Sequence, residues 1–264
     1  MIRAVLFDLG GTLHCADNPP GREIWFADRL LNRLADYGIC LDATPEELAG
    51  RLRVNAEIYK HETEESLEEL PPPVIWNDYY LKQYRIGRER LAPLAEELSF
   101  LYDYERVRVM RRPHLRETLE ELQSMGLHLG LISNIISTSV APHFLEEYGI
   151  DGFMECVILS SRTGCRKPGA GIFRVAERAL NLAPEEFAYV GDTLSRDVRG
   201  VRNAGWHTAI QIENPSVAHR DVGMKELGLA PDYKIRDLQE IPGIIRDINQ
   251  QEKERGIIRD EDQH

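Results

Sequence analysis

Two aspartates, a serine and an asparagine stand where short apolar runs of this sequence stop. Asp8 follows the run AVLF, Ser133 and Asn134 follow LHLGLI, and Asp192 follows AYVG. Carboxylate, hydroxyl and amide groups exchange hydrogen bonds with ligands, and carboxylate oxygens also hold hard cations. These residue types therefore predict a polar ligand-binding site, provided that the fold brings the ends of the three runs together.

The elements that would position these side chains alternate between strands and helices. Two further apolar runs, Cys156 to Leu159 and His207 to Ile212, also end at polar residues, and helical patterns such as Pro113 to Met125 and Ile172 to Leu180 separate the runs. Strands that alternate with helices predict an α/β domain with a parallel sheet. Ligands bind beyond the carboxyl ends of such strands, so we expect the four polar side chains to converge on one crevice.

Residues from about 14 to 110 follow a different pattern. Glu23 to Tyr37 has apolar residues at helical spacing. Trp76, Tyr80 and Tyr84 are four residues apart, which predicts a further helix. No strand pattern is evident, so we expect a helical insertion between the first strand and the rest of the sheet.

Two features of this insertion allow a structural or a functional interpretation. Its many aromatic residues are expected to fill the core of a small helical bundle, the alternative being that one or two line a substrate pocket. The acidic run from Glu62 to Glu69 is expected to be a solvated face or loop rather than a binding element.

Composition excludes several classes of protein. Lys and Arg number 32 against 44 Asp and Glu, so the formal net charge is −12 and general nucleic-acid binding is disfavoured, although a local basic pocket could still bind an anion. No stretch reaches the roughly 20 apolar residues of a membrane span. The four cysteines are scattered without a C-x-x-C pair, which predicts a reduced, cytoplasmic protein. The highly charged residues 249–264 are expected to form a disordered tail.

Four motifs in a fixed order resemble those of the haloacid dehalogenase (HAD)-like hydrolases. They are FDLGGTL from Phe7, LISN from Leu131, RKP from Arg166 and VGDTLSRD from Val190. The insertion after the first motif is similar to the cap of subclass I of that superfamily. The resemblance implies a Rossmann-like α/β core formed by residues 1–13 and 111–248, with an all-helical cap domain formed by residues 14–110.

The resemblance also implies catalytic and metal-binding roles. Asp8 matches the nucleophile, and a carboxylate can attack phosphorus to form an aspartyl-phosphate. Asp192, an oxygen of Asp8 and the backbone carbonyl of Gly10 match the ligands of Mg²⁺, which prefers such oxygen donors. Asp197 matches the last acidic position, which coordinates the metal through water or orients a lysine. The competing interpretation of Asp197 is a surface carboxylate paired with a neighbouring arginine.

Three further residues match the phosphate-binding positions of the family. Ser133 matches the phosphate-binding hydroxyl, and the backbone N–H of Asn134 can assist it. Lys167 supplies a compact cation that would balance the charges of the nucleophile and the phosphate. The implied substrate is a small phosphorylated metabolite, because a cap leaves a closed crevice; its identity and the oligomeric state remain open.

Gly10 departs from the pattern of most phosphatases in the superfamily, which have an aspartate two residues after the nucleophile. That aspartate protonates the leaving alkoxide and activates water, and general acid–base catalysis contributes about 10²–10⁴-fold. A glycine side chain can do neither. A water, a cap residue or a good leaving group could substitute for it; His14 is a candidate, although an ordinary loop histidine is the preferred interpretation.

Three functions stay open on these residues. The first is a Mg²⁺-dependent phosphatase, because phosphoryl transfer depends mostly on positioning and charge stabilisation. The second is a regulatory module that binds phosphate and Mg²⁺ without turnover. The third is a 2-haloacid dehalogenase; those enzymes also lack the second aspartate, but they generally alter the fourth motif, whereas Gly191 and Asp192 are intact here.

Overall fold

The computed structural model contains a six-stranded parallel sheet in the order β5-β4-β1-β6-β7-β8, as the sequence predicts. It describes residues 1–224 and 226–261, with side chains up to residue 255. Two further strands, β2 and β3, form a separate antiparallel ribbon. In chain order the strands are β1 (Ala4–Phe7), β2 (His14–Asp17), β3 (Arg108–Arg111), β4 (His128–Ser133), β5 (Cys156–Leu159), β6 (Phe187–Gly191), β7 (Thr208–Ile212) and β8 (Tyr233–Ile235).

The central strand β1 is apolar throughout because both of its faces are covered. Val5 and Phe7 belong to one hydrophobic cluster, and Ala4 and Leu6 belong to another on the opposite face. All four residues are fully buried. The five apolar runs of the sequence are therefore strands. In the parallel sheet, the three-residue edge strand β8 was not predicted. The ribbon strands β2 and β3 were not predicted either, since they lie at the ends of the segment 14–110 that was expected to be wholly helical.

Helices pack on both faces of this sheet. Those on the face of Val5 and Phe7 are α6, α7 and α11, and those on the face of Ala4 and Leu6 are α9 and α10. Short 3₁₀ and π-helical turns connect several elements. In chain order the helices are α1 (Arg22–Asp36), α2 (Pro45–Ser66), α3 (Pro72–Val74), α4 (Arg88–Leu91), α5 (Ala95–Glu105), α6 (Leu115–Ser124), α7 (Val140–Glu147), α8 (Ser160–Thr163), α9 (Ala170–Leu180), α10 (Arg199–Ala204) and α11 (Ile241–Glu261).

The chain between β2 and β3 is helical and has its own hydrophobic cluster. No strand occurs from residue 18 to residue 107, a stretch that the structure describes in full. Phe26, Trp76 and Tyr102 are buried in this cluster, as expected of aromatics that fill a helical core. The antiparallel ribbon of β2 and β3 joins the insertion to the parallel sheet.

The third predicted helix of the insertion is irregular. Ile75–Tyr80 is a π-helical turn, and Lys82–Tyr84 is a separate 3₁₀ turn. Trp76, Tyr80 and Tyr84 therefore do not lie on one α-helix. The three-residue helix Pro72–Val74 continues directly into this π-helical turn, and the buried rings of Trp76 and Tyr80 pack against each other with centroids 5.1 Å apart.

The end of the chain differs from the expected disordered tail. Helix α11 continues through Glu261, so residues 249–261 are helical, whereas residues 262–264 lie outside the described residues. The side chain of Asn249 accepts a hydrogen bond from the backbone N–H of Ile2 and donates one to its carbonyl. Glu252 pairs with the N-terminal ammonium and with His207. These contacts anchor the helix to the first residues of the chain, which a charge pattern does not reveal.

Among the described residues, every helix is too short or too polar to cross a bilayer.

Candidate active site

The sheet brings the predicted polar residues together at its carboxyl edge. Phe7 is in register with Leu131 of β4 and Val190 of β6, so the three strands end side by side. The hydroxyl of Ser133 donates a hydrogen bond to Asp8 Oδ1 at 3.0 Å. Asp8, Ser133 and Asp192 therefore face one crevice, as the sequence predicts.

Three buried carboxylates form a cluster in this crevice. Each of Asp8, Asp192 and Asp197 offers a carboxylate oxygen, and these oxygens all lie within 4.8 Å of one another. Burial, together with the charges of Asp197 and Asp8, raises the pKa of Asp192 to about 7. Burial also raises the pKa of Asp8, and the attraction of Lys167 offsets this increase only in part. The carboxylates repel one another in a poorly solvated place, and a cation bound among them would relieve this repulsion.

Lys167 neutralises part of this charge. Its ammonium is 1% exposed and contacts Asp197 Oδ1 at 2.7 Å, Asp8 Oδ1 at 3.0 Å and the hydroxyl of Tyr189 at 2.8 Å. Burial opposes its charge, yet the carboxylates of Asp197 and Asp8 raise the pKa of Lys167 above its ordinary value. The lysine is therefore a permanent cation beside the nucleophile candidate.

Asp197 is a buried partner of Lys167 and does not form a surface pair. It is 2% exposed, and burial, which raises its pKa, is outweighed by Lys167, so that the pKa of Asp197 lies below its ordinary value. Its other oxygen, Oδ2, accepts hydrogen bonds from the backbone N–H and the hydroxyl of Thr193. Asp197 thus orients Lys167, one of the two roles that the family resemblance implies.

Asn134 has a positioning contact that the sequence did not reveal. Its side-chain amide donates to the carbonyl of Lys167 and accepts from the N–H of the same residue, both at 2.9 Å. The loop after β4 thereby fixes the backbone of Lys167. Assistance to phosphate by the backbone N–H of Asn134 stays a prediction.

Asn214 is a site residue that sequence reasoning missed. It lies two residues after the end of β7, whereas Asp192 directly follows β6, and its amide donates to Asp192 Oδ2 at 2.7 Å. Its position, two residues after an apolar run, was the available signal. The bond fixes the orientation of the Asp192 carboxylate.

Two glycines leave room for carboxylates of the cluster beside the backbone. A Cβ on Gly11 would lie 1.8 Å from Asp192 Oδ2, and the backbone of Gly11 has a φ of +85°, which favours glycine. A Cβ on Gly191 would lie 2.3 Å from Asp197 Cγ. Gly10 differs from both, because a Cβ there would have no atom within 4 Å. The position of the missing acid is therefore open space, and metal ligation by the Gly10 carbonyl stays a prediction.

His14 and the arginines before α6 are engaged in structural contacts. His14 lies in strand β2 rather than in a loop, and its Nδ1 is 2.9 Å from the hydroxyl of Tyr148. Burial lowers the pKa of His14 to about 4, so it is neutral near pH 7 and is not a charged acid. The guanidinium of Arg112 donates to the carbonyls of Gly11 and Glu213 and so anchors the first loop.

The acidic run of the insertion is not wholly solvated, contrary to expectation. Glu69 is 7% exposed and forms an ion pair with Arg166, the residue before Lys167. It also accepts hydrogen bonds from Tyr59 and Ser160. The backbone N–H of Glu69 also donates to the carbonyl of Gly164, and these contacts hold this part of the insertion against the RKP motif.

A cavity of about 270 Å³ is lined by Asp8 and Asp192 of the cluster and extends to the insertion. Its lining combines negative and positive groups from both parts of the chain, among them Asp8, Asp103, Lys167, Arg196 and Arg220. Such a cavity can accept an anionic ester of a small molecule beside a bound cation.

Comparison with known proteins gives a family match and similarities to two phosphatases. A family model described as haloacid dehalogenase-like hydrolase matches residues 2–205. The chain is 27% identical to a glyceraldehyde 3-phosphate phosphatase of Methanopyrus kandleri, over 94% of this chain and 99% of that protein. It is 28% identical to a phosphoglycolate phosphatase of Escherichia coli, over 86% of this chain and 93% of that protein.

A solved structure of a 2-haloacid dehalogenase from Pseudomonas syringae pv. Tomato DC3000 shares the fold. The TM-score is 0.62 at 22% identity, over 94% of this chain and 99% of that one. At this identity the likeness shows the fold alone.

Proposed function

Because the chain belongs to the haloacid dehalogenase-like hydrolase family, we propose that it is a Mg²⁺-dependent phosphatase of small phosphorylated metabolites. The observation that carries this proposal is the set of three buried carboxylates around Lys167, with the hydroxyl of Ser133 on Asp8. Phosphatases of small phosphoesters among the relatives support it.

The donor set fits Mg²⁺. The cluster supplies carboxylate oxygens and no thiolate or imidazole, which suits a hard cation. Three carboxylates face one ammonium, so an excess of negative charge remains in the cavity. Asp8 and Asp192 would hold the ion, and Asp197, whose oxygens bind Lys167 and Thr193, would add to the negative charge beside it. The ion would offset the mutual repulsion of nucleophile and phosphate.

The chain's own residues account for the transfer step. One oxygen of Asp8 attacks phosphorus while the bond from phosphorus to the ester oxygen breaks, which forms an aspartyl-phosphate. The leaving oxygen takes a proton from water to become the alcohol, because Gly10 has no acidic side chain to supply one. The ammonium of Lys167 and the hydroxyl of Ser133, both at 3.0 Å from Asp8 Oδ1, are placed to bind the phosphoryl oxygens. Water then attacks the phosphorus and releases phosphate, restoring the carboxylate. We propose that closure of the helical cap, residues 14–110, excludes bulk water during these steps.

The test is hydrolysis of an aryl phosphate with Mg²⁺ and with EDTA. Its leaving group needs little acid assistance, so Gly10 does not limit it. We expect Mg²⁺-dependent turnover that Asp8→Asn abolishes, while Asp247→Asn, an exposed position on α11, retains it. Turnover that survives in Asp8→Asn contradicts the assigned nucleophile.

Gly10 favours a second candidate function, a module that binds phosphate and Mg²⁺ without turnover. No side chain at that position can protonate a leaving group. Calorimetric binding of inorganic phosphate that requires Mg²⁺, combined with no hydrolysis of the aryl phosphate, would identify this function in place of the first.

We also propose a cytoplasmic location. Cys15, Cys40, Cys156 and Cys165 are all free thiols, which is usual in a reducing compartment.

A further inference from the structure

Two guanidinium groups line the active cavity, and they differ in what they contact. Arg196 lies on the π-helical turn Leu194–Val198 and forms an ion pair with Glu64 of helix α2. Arg220 lies on the 3₁₀ turn Pro215–Asp221 and has no carboxylate within 4.0 Å among the described residues. Its Nε is buried and has no hydrogen-bond partner in that part of the chain. A buried donor without a partner is costly, and a ligand can satisfy it.

Positive charge is concentrated around Arg220 in a chain whose net charge is −12. Burial and then the nearby charge of Arg196 lower the pKa of Arg220 below its ordinary value. The pKa of Lys60 is likewise lowered, by burial and then by the two guanidinium groups. Asp192, and then Glu57 and Glu64, attract Arg220 but do not pair with it, so repulsion among the cations is only partly offset. An anion bound here would relieve that repulsion.

Arg220 also borders a second cavity, of about 410 Å³, between the insertion and the sheet domain. Lys60, Glu64 and Arg199 line this second cavity, whereas Asp8 and Lys167 line only the first. Arg220 is therefore at the boundary between the phosphate-binding end and further space. A substrate whose phosphate lies on Asp8 can extend its other end toward this arginine.

We propose that Arg220, with Arg196 beside it, binds a second anionic group of the substrate. The substrate class is then a phosphoester that carries a carboxylate or a second phosphate on the same short carbon chain. This inference rests on the proposed phosphatase function and assigns Arg220 as the residue that sets the preference for doubly anionic substrates. Guanidinium groups bind both kinds of anion by paired hydrogen bonds.

The test compares matched substrates in the full-length protein. These are glycerol 3-phosphate, which has no second anion, 3-phosphoglycerate, which has a carboxylate, and propane-1,3-diyl bisphosphate, which has a second phosphate. We expect kcat/KM to favour at least one of the doubly anionic substrates, and Arg220→Gln to lower that value by about 10- to 100-fold, mostly through KM. The thermal melt of the variant, compared with that of the unmodified protein, shows whether it folds.

Arg178→Gln is the matched control, because Arg178 is exposed on α9 and lines neither cavity. It should keep the preference of the unmodified protein. The inference is overturned if the unmodified protein prefers neither anionic substrate, or if Arg220→Gln retains the preference. If either of these results is obtained while the unmodified protein still hydrolyses the aryl phosphate, the inference about Arg220 is wrong and the proposed phosphatase function is unaffected.

Equilibrium binding gives a readout that does not require turnover. The affinities of 3-phosphoglycerate, propane-1,3-diyl bisphosphate and glycerol 3-phosphate are measured by calorimetry on Asp8→Asn and on Asp8→Asn/Arg220→Gln. We expect tighter binding of a doubly anionic ligand only when Arg220 is present. Equal affinities of the doubly anionic ligands for the two proteins overturn the inference. If these ligands bind more tightly when Arg220 is present but the unmodified protein hydrolyses none of the substrates, the phosphatase function is contradicted and the inference about Arg220 is not.

Discussion

Gly10 lies in the first loop, where a Cβ would meet no atom within 4 Å. A Gly10→Asp variant should therefore fold, and its carboxyl group would supply the acid that the site lacks. We expect kcat/KM for an alkyl phosphate such as glycerol 3-phosphate to rise at least about 10-fold, because general acid catalysis contributes about 10²–10⁴-fold. An aryl phosphate, whose leaving group needs less help, should gain less. Steady-state kinetics on both substrates give the ratio of kcat/KM for the alkyl phosphate to kcat/KM for the aryl phosphate.

The adjacent glycine provides a contrasting variant. Gly11→Ala places a methyl group 1.8 Å from Asp192 Oδ2 on a backbone with a φ of +85°. It should lose most of the Mg²⁺-dependent activity. An unchanged ratio of alkyl to aryl hydrolysis in Gly10→Asp would show that the missing acid does not limit this enzyme.

At the scale of single residues, the sequence predicts most of the cluster. Asp8 and Asp192 follow apolar runs, which is enough to place them at the carboxyl edge of a parallel sheet. Lys167 and Asp197 required the resemblance of their motifs to a family, because neither directly ends an apolar run. Asn214 and the crowded glycines were missed, since their contacts depend on side-chain distances that no spacing encodes.

At the scale of elements, the ion pair of Glu69 and Arg166 joins the insertion to the sheet domain. Both side chains are buried, so Glu69→Ala would leave the guanidinium without its partner. We expect a loss of about 3–5 kcal/mol in the free energy of unfolding. Urea denaturation measures it, and Glu68→Ala, at the exposed neighbouring position, should change it little. Equal stability of the two variants would show that the pair does not hold the insertion.

Asp103 of helix α5 makes the same junction dependent on pH. Its Oδ2 accepts the N–H groups of Ile136 and Ser137. Burial raises the pKa of Asp103 to about 7, which these hydrogen bonds and Arg106 only partly counter. The folded chain therefore binds this proton more tightly than the unfolded chain, whose pKa is near 3.8, so the contribution of Asp103 to stability falls as pH rises from about 4 to 7.

Asp103→Asn removes this titration and keeps an oxygen for the two N–H groups. The Tm of the variant minus that of the unmodified protein should increase between pH 5 and pH 8, as thermal melts at a series of pH values would show. Asp151→Asn, at an exposed position, serves as the control. Parallel Tm profiles for Asp103→Asn and the unmodified protein would contradict the raised pKa.

The elements themselves were predicted unevenly. Long runs and strong helical periods, such as β4 and α1, were predicted correctly. The ribbon of His14–Asp17 and Arg108–Arg111 was missed because each strand has four residues and little apolar alternation. The π-helical turn Ile75–Tyr80 was read as a regular helix, since aromatic spacing alone does not distinguish the two.

At the scale of the whole molecule, Mg²⁺ should stabilise the fold. A ligand present at 100 times its Kd adds about 2.7 kcal/mol to the free energy of unfolding. We expect the Tm to rise on adding Mg²⁺ and to return with EDTA. Asp192→Asn should lose this response, yet be no less stable without metal, because it removes one of three mutually repelling carboxylates. Calorimetric melts check both, and an equal Mg²⁺ response in the variant would remove Asp192 from the metal site.

The most direct test of the account is to trap the phosphorylated carboxylate. The protein is mixed with an aryl phosphate and Mg²⁺, quenched in acid and reduced with borohydride, which converts an aspartyl-phosphate into homoserine. Mass spectrometry of the peptide that contains Asp8 should show this conversion, and it should be absent with EDTA and in Asp8→Asn. Turnover of the substrate with position 8 unmodified, or trapping at another carboxylate, would contradict the mechanism.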